Sequence, residues 1–160
     1  MKKRMIALLI TLTMLLAAAC ALAEAGGAEG ENLIGRWAAT PESLAAALEL
    51  PEGSGETMTV AIARQGDFFD IQMDWTLSPS ERISWVLSGS YDAANEELFG
   101  FGTKTRLGLD ASGEVVSASL ENDEVNAEFY LDENGNLIWW DSDEGLEGIL
   151  FEKVPEETAK

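Results

Sequence analysis

The chain has 160 residues, with 10 basic residues against 29 acidic ones, a single cysteine and no histidine. That length allows one ordinary domain beside a short processed segment. The formal charge of −19 sets the molecule against nucleic acids and anionic membranes or wall polymers. The missing histidines remove His-based triads, His-ligated zinc and His-ligated haem.

At the N-terminus, Met1-Lys2-Lys3-Arg4 is a basic opening and Met5 to Ala19 is almost unbroken apolar sequence, followed by ACALAEA. The run is too short for a comfortable transmembrane helix and ends in small residues, so residues 1–23 are expected to be an export signal. Two processing routes are open. Ala21-Leu22-Ala23 fits the small-x-small rule and places the cut before Glu24. Ala18-Ala19-Cys20 instead resembles the end of a bacterial lipobox, with Cys20 lipidated, although Leu16 lies one position further back than the usual leucine. Either route puts the protein outside the cytoplasm, secreted or lipid-anchored at the outer face of the cell membrane. A lipid on Cys20 is the only membrane contact expected. Loss of residues 1–23 removes Lys2, Lys3 and Arg4 but no acidic residue, leaving a charge of −22. The remaining chain, Cys20 apart, has no cysteine and hence no disulfide, thiol nucleophile or redox role.

Residues 24–31, EAGGAEGE, read as a flexible linker, and PEETAK at 155–160 as a polar tail, so one domain is expected over 32–154. One helix is predicted just after the first strand. Thr40 can cap it, Pro41 suits the first helical position, and Glu42 complements the positive end of the dipole. Leu44 and Leu48 then share a face, and Pro51 with Gly53 ends the segment.

The rest alternates at period two. Met58, Val60 and Ile62 fall on one face; Phe69, Ile71, Met73, Trp75 and Leu77 alternate with Asp70, Gln72, Asp74 and Thr76. Ile83-Trp85-Leu87 and Val125-Ala127-Phe129-Leu131 repeat the pattern. Turn residues separate the runs at RQGD (64–67), SPSE (78–81), DAANE (92–96), DASG (110–113), ENDE (121–124) and DENG (132–135). Asn134-Gly135 suits a type I′ turn with positive φ at both positions. In LFGFGTKTRLGLD (98–110), Gly100, Gly102 and Gly108 mark the bends a small barrel needs. The fold class is all-β: an antiparallel up-and-down barrel of about 8–9 strands. A β-sandwich is the alternative, and the short connections favour the barrel.

Gly35-x-Trp37 at the start of the first strand and Lys153 in the closing run ILFEKV (149–154) resemble the calycin group, which comprises lipocalins, fatty-acid-binding proteins and avidin-like barrels. The resemblance implies that Trp37 plugs one barrel end and that Lys153 packs across it. The Asp92 hairpin in VLSGSYDAAN sits where such barrels turn. The chain departs from the group in lacking the disulfides of many lipocalins. Its helix follows the first strand, as in the fatty-acid-binding branch, but that branch has two helices there and only one is evident here.

No catalytic constellation stands out, and an enzyme is not expected. Asp70 and Asp74 share a strand face and are read as its solvated side. The acidic turns DENGN (132–136) and DSDEG (141–145) offer oxygen ligands but no EF-hand spacing, so no metal and no cofactor is expected. The interior candidates for binding an apolar ligand are Trp75, Trp85, Met73 and Phe129, with Phe69 beside them. Trp139 and Trp140, adjacent in one strand, must point to opposite faces, so one ring is outside, either as a contact for a partner or sugar or covered by the 41–49 helix or the 141–148 loop. The expected role is an exported binding domain for a small apolar ligand or an extracellular partner. The alternative is an envelope-associated structural or interaction domain with a filled core.

Overall fold

Strands dominate because apolar residues return at every second position from Met58 onward. A computed structural model of the chain describes residues 29–51, 53–141 and 146–155, without the side chains of 141–147. The segment 1–23 expected to be an export signal, Cys20 and the acids of 142–145 lie outside the described residues. Eight strands follow in order: β1 (Gly35–Ala39), β2 (Thr57–Gln65), β3 (Phe68–Ser78), β4 (Glu81–Asp92), β5 (Glu97–Leu109), β6 (Val115–Leu131), β7 (Leu137–Asp141) and β8 (Leu146–Lys153). Each pairs antiparallel with the next, and β8 pairs back onto β1 through Trp37↔Lys153, Ala38↔Glu152 and Ala39↔Phe151, closing the barrel. The fold class expected from the sequence is the one observed, with eight strands, one short helix after β1, and no second sheet among the described residues.

The registers explain the interior. One inward row runs Trp37–Val60–Met73–Trp85 across β1 to β4. Another runs Leu98–Phe129–Trp139–Ile149 across β5 to β8. These residues and their neighbours form one buried cluster. Between the two rows the inward positions of β4 and β5 are the facing pair Gly89 and Gly100. A Cβ on Gly89 would come within 2.9 Å of Ile71 Cδ1 and Leu98 Cδ1, so large neighbours already occupy that space. Gly102 allows an even closer approach, since a Cβ there would run into the Val86 carbonyl oxygen.

Both ends are stoppered. Helix α1 (Pro41–Leu48) starts as the sequence predicts: Thr40 Oγ1 accepts from the Ser43 N–H, and Pro41 sits at the first position. Leu44 is buried, and the Ser43 hydroxyl donates to the Leu150 carbonyl (3.2 Å) while accepting from the Leu150 N–H (2.7 Å), tying the helix to β8. At the other end a single 3₁₀ turn, Glu31–Leu33, buries Leu33. Gly30, read as linker from the sequence, is packed against Phe69 and Tyr91, and Arg64 donates to the Glu29 carbonyl at 3.0 Å. The ordered domain thus begins at least three residues before Asn32.

Two turn assignments differ from expectation. ENDE (121–124) is not a turn: it lies within the 17-residue β6. Two register irregularities, between Gly102 and Lys104 and between Lys104 and Thr105, absorb two extra β6 residues as bulges, and Asn122 Oδ1 accepts from the Glu124 N–H (3.0 Å) within the strand. The second is Asn134-Gly135, where only Gly135 is left-handed, at φ 81°. The hairpin is a three-residue loop with glycine in the αL position, not a two-residue type I′ turn. Asp132 supports it, with Oδ1 accepting from the Asn134 and Asn136 N–H groups and Oδ2 from Asn136 Nδ2. DASG is built the same way on Asp110 and Gly113 (φ 84°).

Candidate functional site

The sequence-predicted residues separate into three places. The first is the barrel end carrying Trp37 and Lys153. Trp37 is buried and its indole N–H donates to the Leu33 carbonyl at 2.9 Å. Lys153 Nζ lies 5.0 Å from the Trp37 ring centroid and donates to the Asn32 carbonyl at 3.3 Å. Gly35 has φ 139°, and a Cβ on it would fall 2.9 Å from Lys153 Cε. Glycine is therefore required twice over, for its backbone angle and for the passage of the lysine stem.

The second place is the interior. Trp85, Met73, Phe129 and Trp139 are brought together there, each no more than 1 % exposed. Trp85 and Trp139 meet edge to face, with centroids 5.8 Å apart and planes at 70°. Phe69 belongs to the same cluster. Trp75 does not join them fully: it is half-buried near the end closed by α1, and its indole N–H donates to Glu56 Oε2 at 2.8 Å. The indole N–H groups of Trp85 and Trp139 are buried without a hydrogen-bond partner. Lys104, itself buried, holds its ammonium 5.2 Å from the Trp85 centroid and 3.8 Å from Glu121. Arg106 joins the same polar edge, bridging Glu81 of β4 and Glu121 of β6.

The third place is the outer wall, which sequence reasoning largely missed. Of the tryptophan pair, Trp139 points in and Trp140 points out, the latter 44 % exposed. Phe68, Phe99 and Phe101 also stand outside, at 59 %, 38 % and 55 % exposure. Across the sheet Ser90 pairs with Phe99, and Phe101 lies between Ser88 and Asn126. Short serines on β4 therefore separate Phe68 of β3 from the two phenylalanines of β5. The result is an open depression of about 460 Å³ lined by these residues with Asn126 and Glu128. The signal was present in LFGFG: if Leu98 and the glycines point inward, the phenylalanines between them must point outward.

The remaining acids do structural work or face solvent. Asp70 is exposed; Asp74 accepts from Gln72 Nε2 at 3.2 Å through Oδ2, while its Oδ1 is buried without a partner. Asp132 is held below the usual aspartate range chiefly by the Asn136 side-chain hydrogen bond, then by the Asn136 backbone N–H. Asp110 is lowered likewise, first by the Ser112 hydroxyl and then by the N–H groups of Glu114 and Ser112. Both carboxylates are turned onto their own loops. Among the described residues no group of three or more potential ligands is placed to hold a metal ion, and no helix is long and apolar enough to cross a membrane. No family model matches the chain, and neither the curated proteins nor the solved structures give a significant match.

Proposed function

We propose that the protein is an exported, non-catalytic binding domain whose barrel is a filled scaffold and whose contact surface is the outer wall of β3 to β6. The observation that carries this reading is the depression between Phe68 and the pair Phe99 and Phe101. Three half-exposed phenyl groups present roughly 300 Å² of apolar surface, the size at which a patch on a monomer is commonly functional. Covering it would contribute about 7 kcal/mol before the entropy of association is subtracted. The hydroxyls of Ser88 and Ser90, the Asn126 amide and the Glu128 carboxylate rim the depression, with no basic side chain among its lining. The partner chemistry is therefore an apolar group carried by a neutral or cationic extracellular molecule.

A second reading, a small ligand inside the barrel as in the calycin group, has one observation in its favour. Two buried indole N–H donors, on Trp85 and Trp139, lack acceptors, and an interior ligand with an acceptor atom would satisfy them.

A hydrophobic fluorescent dye separates the two. On the outer-wall reading the native protein enhances its fluorescence, and Phe99→Ser with Phe101→Ser abolishes the enhancement while the unfolding midpoint is unchanged. Enhancement that survives those substitutions and falls when Trp85 or Trp139 is replaced would transfer the site to the interior.

A further inference from the structure

Strand β6 is much longer than its neighbour. It pairs with β5 from Val115 to Tyr130, but its pairing with β7 covers only Glu128 to Leu131. No described strand lies against the other edge of Val115–Leu120, so a row of backbone N–H and C=O groups faces outward there. The side chains along this edge are not those of a protected strand. Val115, Val116 and Leu120 are 55 %, 66 % and 60 % exposed. Edge strands in soluble proteins are usually blunted by charge, bulges or proline, because an open apolar edge pairs with another chain.

We infer that this edge is a homodimer interface, in which β6 of one copy pairs antiparallel with β6 of a second copy about a two-fold axis at Ala118. The sequence of the window is self-complementary in an antiparallel pair, which is what suits a second copy. VVSASL (115–120) is an uncharged window, bounded by Glu114 on one side and by Glu121, Asp123 and Glu124 on the other. Centring the pair on Ala118 sets Val116 against Leu120, Ser117 against Ser119, and Ala118 against itself. Glu114 then meets Asn122, Glu121 meets Val115, and no acid faces an acid. Shifting the sum of paired positions down by one sets Glu114 against Glu121, shifting it up by one sets Glu114 against Asp123, and every register centred further toward the C-terminus gives up the Val116–Leu120 contact. A second copy suits the symmetry as well, since one self-complementary patch closes a dimer without propagating. Register irregularities near Gly108/Leu109 and Lys104/Thr105 bracket the window on the β5 side, which keeps the paired segment short. The dimer is correspondingly weak, and salt strengthens it by screening the excess negative charge of the two copies. This inference does not depend on the outer-wall reading, which concerns β3 to β6 around Ser88 and Ser90.

Sedimentation velocity on purified residues 24–160, over a concentration series at physiological salt, tests it. The parent shows a concentration-dependent monomer–dimer equilibrium. Val116→Lys and Leu120→Glu each weaken dimerisation at least tenfold. The double variant V116K/L120E recovers it, because the introduced ammonium of one copy then faces the introduced carboxylate of the other. Within one chain those two groups lie too far apart along the strand to pair. Both positions are solvent-exposed, and far-UV circular dichroism confirms that each variant is folded. In the same fragment, which lacks Cys20, Ala118→Cys forms an interchain disulfide on oxidation whereas Val125→Cys does not. A parent that stays monomeric throughout, single charge variants that dimerise like the parent, or a double variant no better than the singles would overturn the inference.

Discussion

Replacing Gly35 by alanine tests the closed barrel end where three separate contacts converge. The backbone angle of 139° is one that side-chain-bearing residues rarely adopt, and holding alanine there costs about 1–3 kcal/mol. The new methyl would also lie 2.9 Å from Lys153 Cε, so the lysine stem must move. Moving it gives up the ammonium–indole contact with Trp37, worth about 0.5–1 kcal/mol at an exposed site. Gly35→Ala should therefore cost about 1.5–4 kcal/mol in total, which a domain of ordinary stability survives. The two parts separate in a double-mutant cycle with Lys153→Ala. Without the lysine, only the backbone part remains, and the coupling should be about 0.5–1 kcal/mol. Urea unfolding followed by tryptophan fluorescence reads all four variants, with slopes unchanged if the compactness of the states is unchanged. A Gly35→Ala protein within about 0.5 kcal/mol of the parent, or strict additivity in the cycle, would refute this reasoning.

Other outcomes follow from the same geometry. Phe129→Ala, which empties a fully buried position, should cost about 3–5 kcal/mol, whereas Phe99→Ala on the outer wall should stay within about 0.5 kcal/mol of the parent; chemical denaturation compares them directly. Gly102→Ala drives a methyl into the Val86 carbonyl, so it should lower the thermal midpoint by more than Gly113→Ala, whose Cβ meets nothing and whose penalty is its φ of 84° alone. Asp110 and Asp132 are both held below the ordinary aspartate value of 3.8, so their contribution to stability is complete above that value and is lost as pH falls through their folded values. Denaturation midpoints measured from neutral to strongly acidic pH should therefore fall less steeply at the acid end in Asp110→Asn/Asp132→Asn than in the parent.

Most of the barrel was legible because period two is a strong signal when one face is apolar and the other acidic. Phe69 to Leu77 and Val125 to Leu131 could be placed with no knowledge of their neighbours. The helix was equally readable, since Thr40, Pro41 and Glu42 specify its start locally. What failed were features decided by tertiary pairing. Glu121–Glu124 has turn composition, yet it is held extended by β5, where Lys104 and Arg106 engage Glu121. Within the continuous 13-residue β5, Gly102 and Gly108 sit beside register irregularities, and all three of its expected bend glycines, Gly100 included, lie at close approaches whose partners only the pairing reveals. Whether an interior is filled also depends on how inward rows from distant strands interlock, and no single strand contains that information. The outer-wall phenylalanines were concealed for a different reason: aromatic residues in a strand are read as core until the register shows which alternate set faces in.

The central claim is that the chain closes on itself, β8 against β1, around a packed interior. Cross-strand nuclear Overhauser effects measured by NMR on residues 24–160 test it most directly. Closure predicts backbone contacts between Ala38 and Glu152 and between Trp37 and Lys153, together with side-chain contacts between the indoles of Trp85 and Trp139. Absence of the β1–β8 contacts, with the two tryptophan rings far apart, would mean an open sheet or two separate layers, and would contradict the account.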